Sequence, residues 1–450
     1  MSTNRREFLA LAGGFLASRA TAAAEGWDEA QAILARIKPP RFPNRDFDVT
    51  RYGAVGDGKS DGTAAIARAI DECSGAGGGR VVFPAGVFLT GAIHLKSNVN
   101  LHVPAGAGIQ FIPDPKLYLP LVRTRWEGTE LMNYSPLFHA DGQENLAITG
   151  EGTLNGGADS GHWWNWTAGA RKARTALVEM GAKDVPVTDR IYGEGSYLRP
   201  SMFQPVRSKN ILVEGVTFLN SPMWVITPLY CANVTIRGAK VVGHGPNTDG
   251  CDPDSCTDVL IENCSFDTGD DCIAIKSGRN RDGRRVGIAS QNLVIRGCRM
   301  KDGHGGITVG SEMSGGVRNV FAEDCQLDSP NLNQALRFKT NAMRGGTIGN
   351  IYFRNITVGQ VSNAVLQIDC QYEEGANGPE KPVVRGIDLR NVSCKKSRYA
   401  LDLRGLAASP IGGVRLADCT FENTAQGNVL ENVTGLECVN VKINGKEFKG

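Results

Sequence analysis

Asn210-Ile211-Leu212-Val213-Glu214-Gly215-Val216-Thr217-Phe218 returns 23 residues later as Asn233-Val234-Thr235-Ile236-Arg237-Gly238, and 25 residues after that as Asp258-Val259-Leu260-Ile261-Glu262-Asn263-Cys264-Ser265-Phe266. The pattern comes back at Asn292-Leu293-Val294-Ile295, Asn319-Val320-Phe321-Ala322 and Asn350-Ile351-Tyr352-Phe353, and less strictly at Gly386, Gly413 and Leu436. Each unit holds short β-branched runs of alternating polarity bounded by Gly or Asn, and none has a helix long enough to cover a sheet. A unit this small cannot bury its own apolar face, so neighbours must stack into a solenoid. Short strands in such a repeat predict an all-β parallel β-helix, one elongated domain over residues 25–450.

Composition fits one large core: 450 residues, 41% apolar, with 56 glycines for frequent turns. The start of the chain reads as an export signal. Asn4-Arg5-Arg6-Glu7-Phe8-Leu9 sets an arginine pair ahead of an apolar run to Ala17 and an Ala-rich end at Ala24, the order of a twin-arginine signal over residues 1–24. The run is too short for a membrane anchor, so a periplasmic or secreted monomer is expected. The net charge of +2 is matched by Arg5, Arg6 and Arg19 against Glu7, leaving the mature chain near neutral. That excludes a global field for nucleic acid.

The 12 cysteines are not spaced as a zinc site or a disulfide framework. Cys264, Cys298, Cys325, Cys394 and Cys419 are read in one phase of the repeat as buried apolar fillers, while Cys251, Cys256 and Cys272 are close enough to pair after export. Ser60-Asp61-Gly62-Thr63 leads into a helical pattern through Asp71, predicting a short N-terminal cap helix within a cap region of about residues 45–80. Residues 156–200, with Trp163, Trp164 and Trp166, break the repeat as an excursion of loops or short helix whose tryptophans pack on the solenoid or stack on sugars. Gly53-Ala54-Val55-Gly56-Asp57-Gly58-Lys59-Ser60 matches a phosphate-loop pattern. Asp57 inside the would-be cradle and the missing βαβ pattern speak against it.

Charged residues concentrate in four consecutive coils: Asn247-Thr248-Asp249-Gly250, Gly269-Asp270-Asp271-Cys272, Gly303-His304-Gly305 and Arg337-Phe338-Lys339. Asp249 and Asp271 are one coil apart and should stack about 4.8 Å from each other, with Asp270 adjacent. Aligning Gly269–Ser277 with Gly303–Ser311 puts His304 in the phase of Asp270, and carrying the phase forward sets Ile307 against Leu336. Strand alternation then points Ile307, Val309, Leu336 and Phe338 inward and Lys276, Thr308, Arg337 and Lys339 outward. Crowded carboxylates cannot all ionise at equal cost, so one holds a proton while another stays charged. That is the acid and base pair of a glycosidase. The basic strip beside it suits a sugar carrying a carboxylate.

With these motifs, together with Tyr52-Gly53-Ala54-Val55-Gly56-Asp57-Gly58 and Asn220-Ser221-Pro222-Met223-Trp224, the chain resembles glycoside hydrolase family 28, the polygalacturonase family, in its plant and bacterial branch. The resemblance implies a right-handed parallel β-helix that hydrolyses α-1,4-galacturonosidic bonds of pectin with inversion, without metal or cofactor. It implies Asp270 as general acid, Asp249 and Asp271 holding and activating the water, and His304 supporting the acid. Asn247, Lys276, Arg337, Lys339 and Tyr372 would bind substrate. Phe338 stands where the family usually has isoleucine, a change of packing. The insertions at residues 156–200 and 279–290 would block one end of the groove and direct attack to chain ends. Rhamnogalacturonan and xylogalacturonan are alternative substrates. A β-helix lyase is the alternative enzyme, needing a basic proton acceptor and calcium on acidic ligands such as Asp252 and Asp254, and a glycan-binding adhesin is the alternative without catalysis.

Overall fold

A computed structural model describes residues 26–450; the expected export signal lies outside the described residues. The coils stack as a parallel β-helix, right-handed as parallel crossovers are. Among the named strands, all pairings are parallel and one coil apart, except two antiparallel hairpins, Val122–Trp126 with Thr129–Asn133 and Val441–Ile443 with Lys446–Phe448.

The opening repeat explains the stacking. Ile211, Val234, Val259, Leu293, Val320, Ile351, Ile387 and Val414 fall in one register column, every one fully buried. The residue before each, Asn210, Asn233, Asp258, Asn292, Asn319 and Asn350, turns the chain with φ between 55° and 60°, a left-handed conformation that Asn and Asp tolerate. Their side chains bond coil to coil, Asn233 to Asn210 at 2.8 Å and Asn319 to Asn292 at 3.1 Å, Asn350 to Asn319 at 3.2 Å. Gly386, Gly413 and Gly435 continue the position, each with positive φ. The last unit therefore starts at Gly435, one residue before Leu436.

All 12 cysteines are free thiols and all but Cys438 are buried, so Cys251, Cys256 and Cys272 do not pair. Cys264, Cys298, Cys325 and Cys419 share one column, but Cys394 does not: its partners are Val358 and Phe421, two positions further on. The period of two keeps it on the inner face all the same.

Helix α1 (residues 26–36) lies against the outside of one sheet, seating Trp27, Ala30 and Ile33 on Leu260, Val294 and Phe321. Nothing in the repeat announced it. Helix α2 (Thr63–Gly75) closes the first coil with Ile66, Ala69 and Ile70 inward. Ahead of it the Asp57 carboxylate accepts from the amides of Lys59 and Ser60 and from the Ser60 hydroxyl, which holds its pKa at about 2. The donors a phosphate would need are occupied.

The face that carries the charged motifs runs inward through Phe203, Ile226, Cys251, Ile273, Ile307, Leu336, Leu366 and Leu401. Ile307 and Leu336 are paired as the sequence alignment predicted. Lys276, Thr308 and Lys339 project from the other side of these strands and are nonetheless buried, with Arg337 half-buried, because three insertions roof the face. They are the Val122–Asn133 hairpin, the excursion with helix α3 (Arg171–Ala182), and helix α4 (Asn280–Val286). A second apolar cluster of Trp126, Leu131, Leu177, Leu198, Met223 and Trp224 fastens the first two to the solenoid. Trp163 packs on Tyr118 and Trp166, and Trp164 donates to the Ser221 carbonyl, so both serve packing.

Candidate active site

Asp249, Asp270 and Asp271 bring carboxylate oxygens within 4.8 Å of one another at the entrance of the strands on this face. The backbone sets the spacing: the Gly250 amide donates to the Asp271 carbonyl, and the His304 amide to the Asp270 carbonyl, each one coil along. The two glycines around His304 are required by room. A Cβ on Gly303 would lie 2.7 Å from the Asp270 carbonyl oxygen, and one on Gly305 would lie 2.8 Å from Asp271 Oδ1 and 3.1 Å from Arg337 Cδ.

The three aspartates differ in company. Asp271 is fully buried, with Lys339 Nζ at 2.7 Å and Arg337 Nη1 at 3.2 Å. Burial opposes its charge, but Lys339, Arg337 and Lys276 outweigh it and hold the carboxyl below the usual carboxylate range. Asp249 is equally buried with only Lys276 close, at 3.4 Å. Burial, and then the neighbouring Asp270, push it well above that range. Asp270 is more open, accepting from the Asp271 amide at 2.9 Å and lying 3.0 Å from His304 Nδ1. That bond raises the imidazole pKa above its ordinary 6.5. One carboxyl protonated and one ionised, side by side, is the division of labour that acid and base catalysis needs.

Lys276 is the internal counter-charge: Asp249, Asp252 and Glu312 lie 3.4, 3.9 and 3.3 Å from its ammonium, which also sits 4.2 Å from the Trp224 ring centre. Asn247, at φ 55°, accepts on its side-chain oxygen from Arg199 Nη2 at 2.7 Å. Tyr372 presents its ring to Lys339 at 5.4 Å and Arg337 at 5.8 Å. Arg337 Nε is buried without a partner, a donor left over for an anionic ligand.

Eight of the nine predicted residues line one pocket of about 200 Å³, and Asp271 lies under it, bonded to Arg337 and Lys339. The sequence reading missed Glu127, Arg174, Trp224, Ser311, Glu312 and Glu373 on the same pocket. Glu312 had a signal, since Gly310-Ser311 aligns with Lys276-Ser277 and the next residue must stand at the strand exit. Glu127 and Arg174 had none, because their insertions leave the repeat. Of the carboxylates weighed for calcium, Asp254 pairs with Arg125 at 2.6 Å, both 1% exposed, and Asp252 lies 3.9 Å from Lys276 with neither oxygen hydrogen-bonded.

On the side of the preceding coils the hairpin is seated on the solenoid by Arg125 on Asp254 and Thr124 on Gln204. The pocket opens past His304 into a groove of about 490 Å³ lined by His244, Asp302, Asn331 and Asn333. A paired acid and base beside fixed cations on a β-helix face defines a carbohydrate-cleaving enzyme of the glycosidase class. The comparisons agree. The sequence profile of Glycosyl hydrolases family 28 matches residues 193–441, and that of Rhamnogalacturonase A/epimerase, pectate lyase-like, residues 47–108. A probable polygalacturonase of Vitis vinifera is 30% identical over 394 residues, 83% of this chain and 74% of the relative. An exo-poly-alpha-D-galacturonosidase of Dickeya chrysanthemi is 27% identical over 78% of this chain and 62% of its own. The crystal structure of a hyperthermoactive exopolygalacturonase from Thermotoga maritima superposes with a TM-score of 0.91 at 43% identity, covering 94% of this chain and 97% of that one. The chain belongs to glycosyl hydrolases family 28 and is a glycosidase.

Proposed function

We propose that this enzyme, exported and acting as a monomer, hydrolyses α-1,4-galacturonosidic bonds at the end of a pectic chain. The single observation that carries this is the pocket itself: an acid and base cluster, with a partnerless Arg337 Nε beside Lys339, lined on its far side by Glu127 and Arg174 from the insertions. Arg337, Lys339 and Tyr372 receive the sugar carboxylate. Asp270, the carboxyl nearest the open groove, gives a proton to the leaving oxygen, supported by His304. Asp249 and Asp271 hold the attacking water. Burial favours the protonated form of Asp249 in the unliganded protein, and Lys276 at 3.4 Å favours its charge once it gives that proton up to serve as base.

Carboxylate oxygens all within 4.8 Å of one another are closer than the roughly 6.5–9.5 Å between carboxyl groups usual for inversion. Inversion here rests on the family resemblance and on a third carboxylate that shares the water. The deciding experiment is chromatography of products from polygalacturonate in the presence of chelator, with ultraviolet absorbance followed in parallel. Saturated galacturonate monomer as first product supports the proposal. Ultraviolet-absorbing unsaturated ends, or arrest by chelator, point to a lyase. Mixed oligomers as first products refute end-directed attack.

A further inference from the structure

Three insertions with no place in the repeat meet at the strand exits, opposite the aspartates. Glu127 comes from the hairpin tip, Arg174 from α3 and Glu373 from the loop after Tyr372, and Arg279 lies beneath them. The tip is driven deep into the site. The Arg279 amide donates to the Gly128 carbonyl at 2.8 Å, and a Cβ on Gly128 would come 2.7 Å from Glu312 Cγ, so only glycine fits this turn with its φ of 78°. Glu127 is thereby carried into the pocket lining with its carboxylate mostly shielded from water.

Both hydrogen bonds that reach this carboxylate, from Arg174 Nε at 2.5 Å and Arg279 Nη1 at 3.3 Å, end on Oε2. Among the described residues Oε1 accepts none. Oε1 is not among the buried partnerless atoms, so it is open to the pocket, where a ligand hydroxyl can replace water as its donor. The cations around it are engaged by Glu127, Glu312, Glu373 and Glu374, so the wall lacks an acceptor's counterpart and wants a hydroxyl. In an α-1,4-linked chain an interior sugar uses its C4 oxygen in the glycosidic bond and has no proton there. A terminal non-reducing sugar does.

We infer that Glu127 Oε1 accepts the free C4 hydroxyl of the terminal galacturonate, making Glu127 the residue that selects chain ends. This rests on the end-directed hydrolysis proposed above and names the group that enforces it. Arg174 and Arg279 are positioning residues that hold the carboxylate in place.

The test compares two trigalacturonides, one saturated and one with a 4,5-unsaturated non-reducing end that lacks the C4 hydroxyl. A site built to bond a hydroxyl rejects the analogue without it by a large factor. The native enzyme should prefer the saturated trimer by about 100-fold or more in kcat/KM. Glu127→Ala should collapse that ratio to within about threefold by lowering kcat/KM for the saturated trimer alone. Glu127→Gln, which keeps an acceptor oxygen, should retain part of it. The ratio is independent of the fraction of protein folded, and flattening of the unsaturated ring acts equally on native and variant enzyme. Glu127→Ala with the full native ratio overturns the inference. A native enzyme that cleaves both trimers alike overturns it too while leaving hydrolysis intact, and one that cleaves neither refutes the proposed function itself.

Discussion

Gly305→Ala adds a single methyl group where the Asp271 carboxylate and Arg337 meet. Its Cβ would stand 2.3 Å from Thr308 Oγ1, 2.8 Å from Asp271 Oδ1 and 3.1 Å from Arg337 Cδ. The backbone there lies outside the left-handed region, so conformational strain does not contribute. Relieving the contacts requires Asp271 to move by roughly 0.5 Å and Thr308 by about 1 Å, and both are fully buried. Overpacking of this kind costs about 1–3 kcal/mol. Misplacement of a reacting group by about 1 Å costs roughly 100-fold in rate. Reducing-sugar release from polygalacturonate and thermal unfolding should show a kcat loss of about that size with a modest fall in Tm. Gly75→Ala, at the end of α2 with no atom within 4 Å of the new Cβ, serves as the silent control. Native activity and Tm in Gly305→Ala would refute the proposed crowding of Asp271 against Arg337.

The hydrogen bond to Asp270 raises His304 above its ordinary 6.5, so kcat should fall on the alkaline side as pH rises through the raised value, above 6.5. The pH–rate profile of His304→Gln should lack that limb. His304 also favours the fold below pH 6.5 and loses that contribution as pH rises through its folded value. Burial raises Asp249, so the unfolded chain gives up this proton first and stability drains as pH rises above 3.8. Asp249→Asn should therefore raise Tm, more at pH 7 than at pH 4, by calorimetry, while abolishing activity. Arg125 and Asp254 form an ion pair 1% exposed on both sides. Arg125→Met should cost about 3–5 kcal/mol in denaturant unfolding and, by loosening the hairpin that carries Glu127 into the pocket lining, add oligomers to a monomer-only product pattern. Unchanged products at native Tm would show that the hairpin does not direct attack to chain ends.

Most of the solenoid was legible because its repeat is dictated twice, by the buried aliphatic column from Ile211 to Val414 and by the left-handed Asn turn before it. The same periodicity placed His304 beside Asp270 and Ile307 beside Leu336 without tertiary information. It failed where the chain leaves the period. Cys394 was misplaced by two positions because a period of two puts both candidates inward. Helix α1 buries Trp27 against Phe321 on the outer face, a contact between segments far apart in sequence. Lys276 was read as part of an outward basic strip and is buried among Asp249, Asp252 and Glu312, since a strand pattern gives the direction of a side chain and not what roofs it. Glu127 and Arg174 enter on insertions, and only the folded chain shows where these end.

Kinetics of Asp270→Asn test the central claim most directly, because the substitution keeps shape and removes only the ability to give and regain a proton. With Tm and KM near native values, kcat on polygalacturonate should fall by about 1,000-fold or more. A kcat within tenfold of the native enzyme would contradict the assignment of this aspartate cluster as the acid and base of hydrolysis.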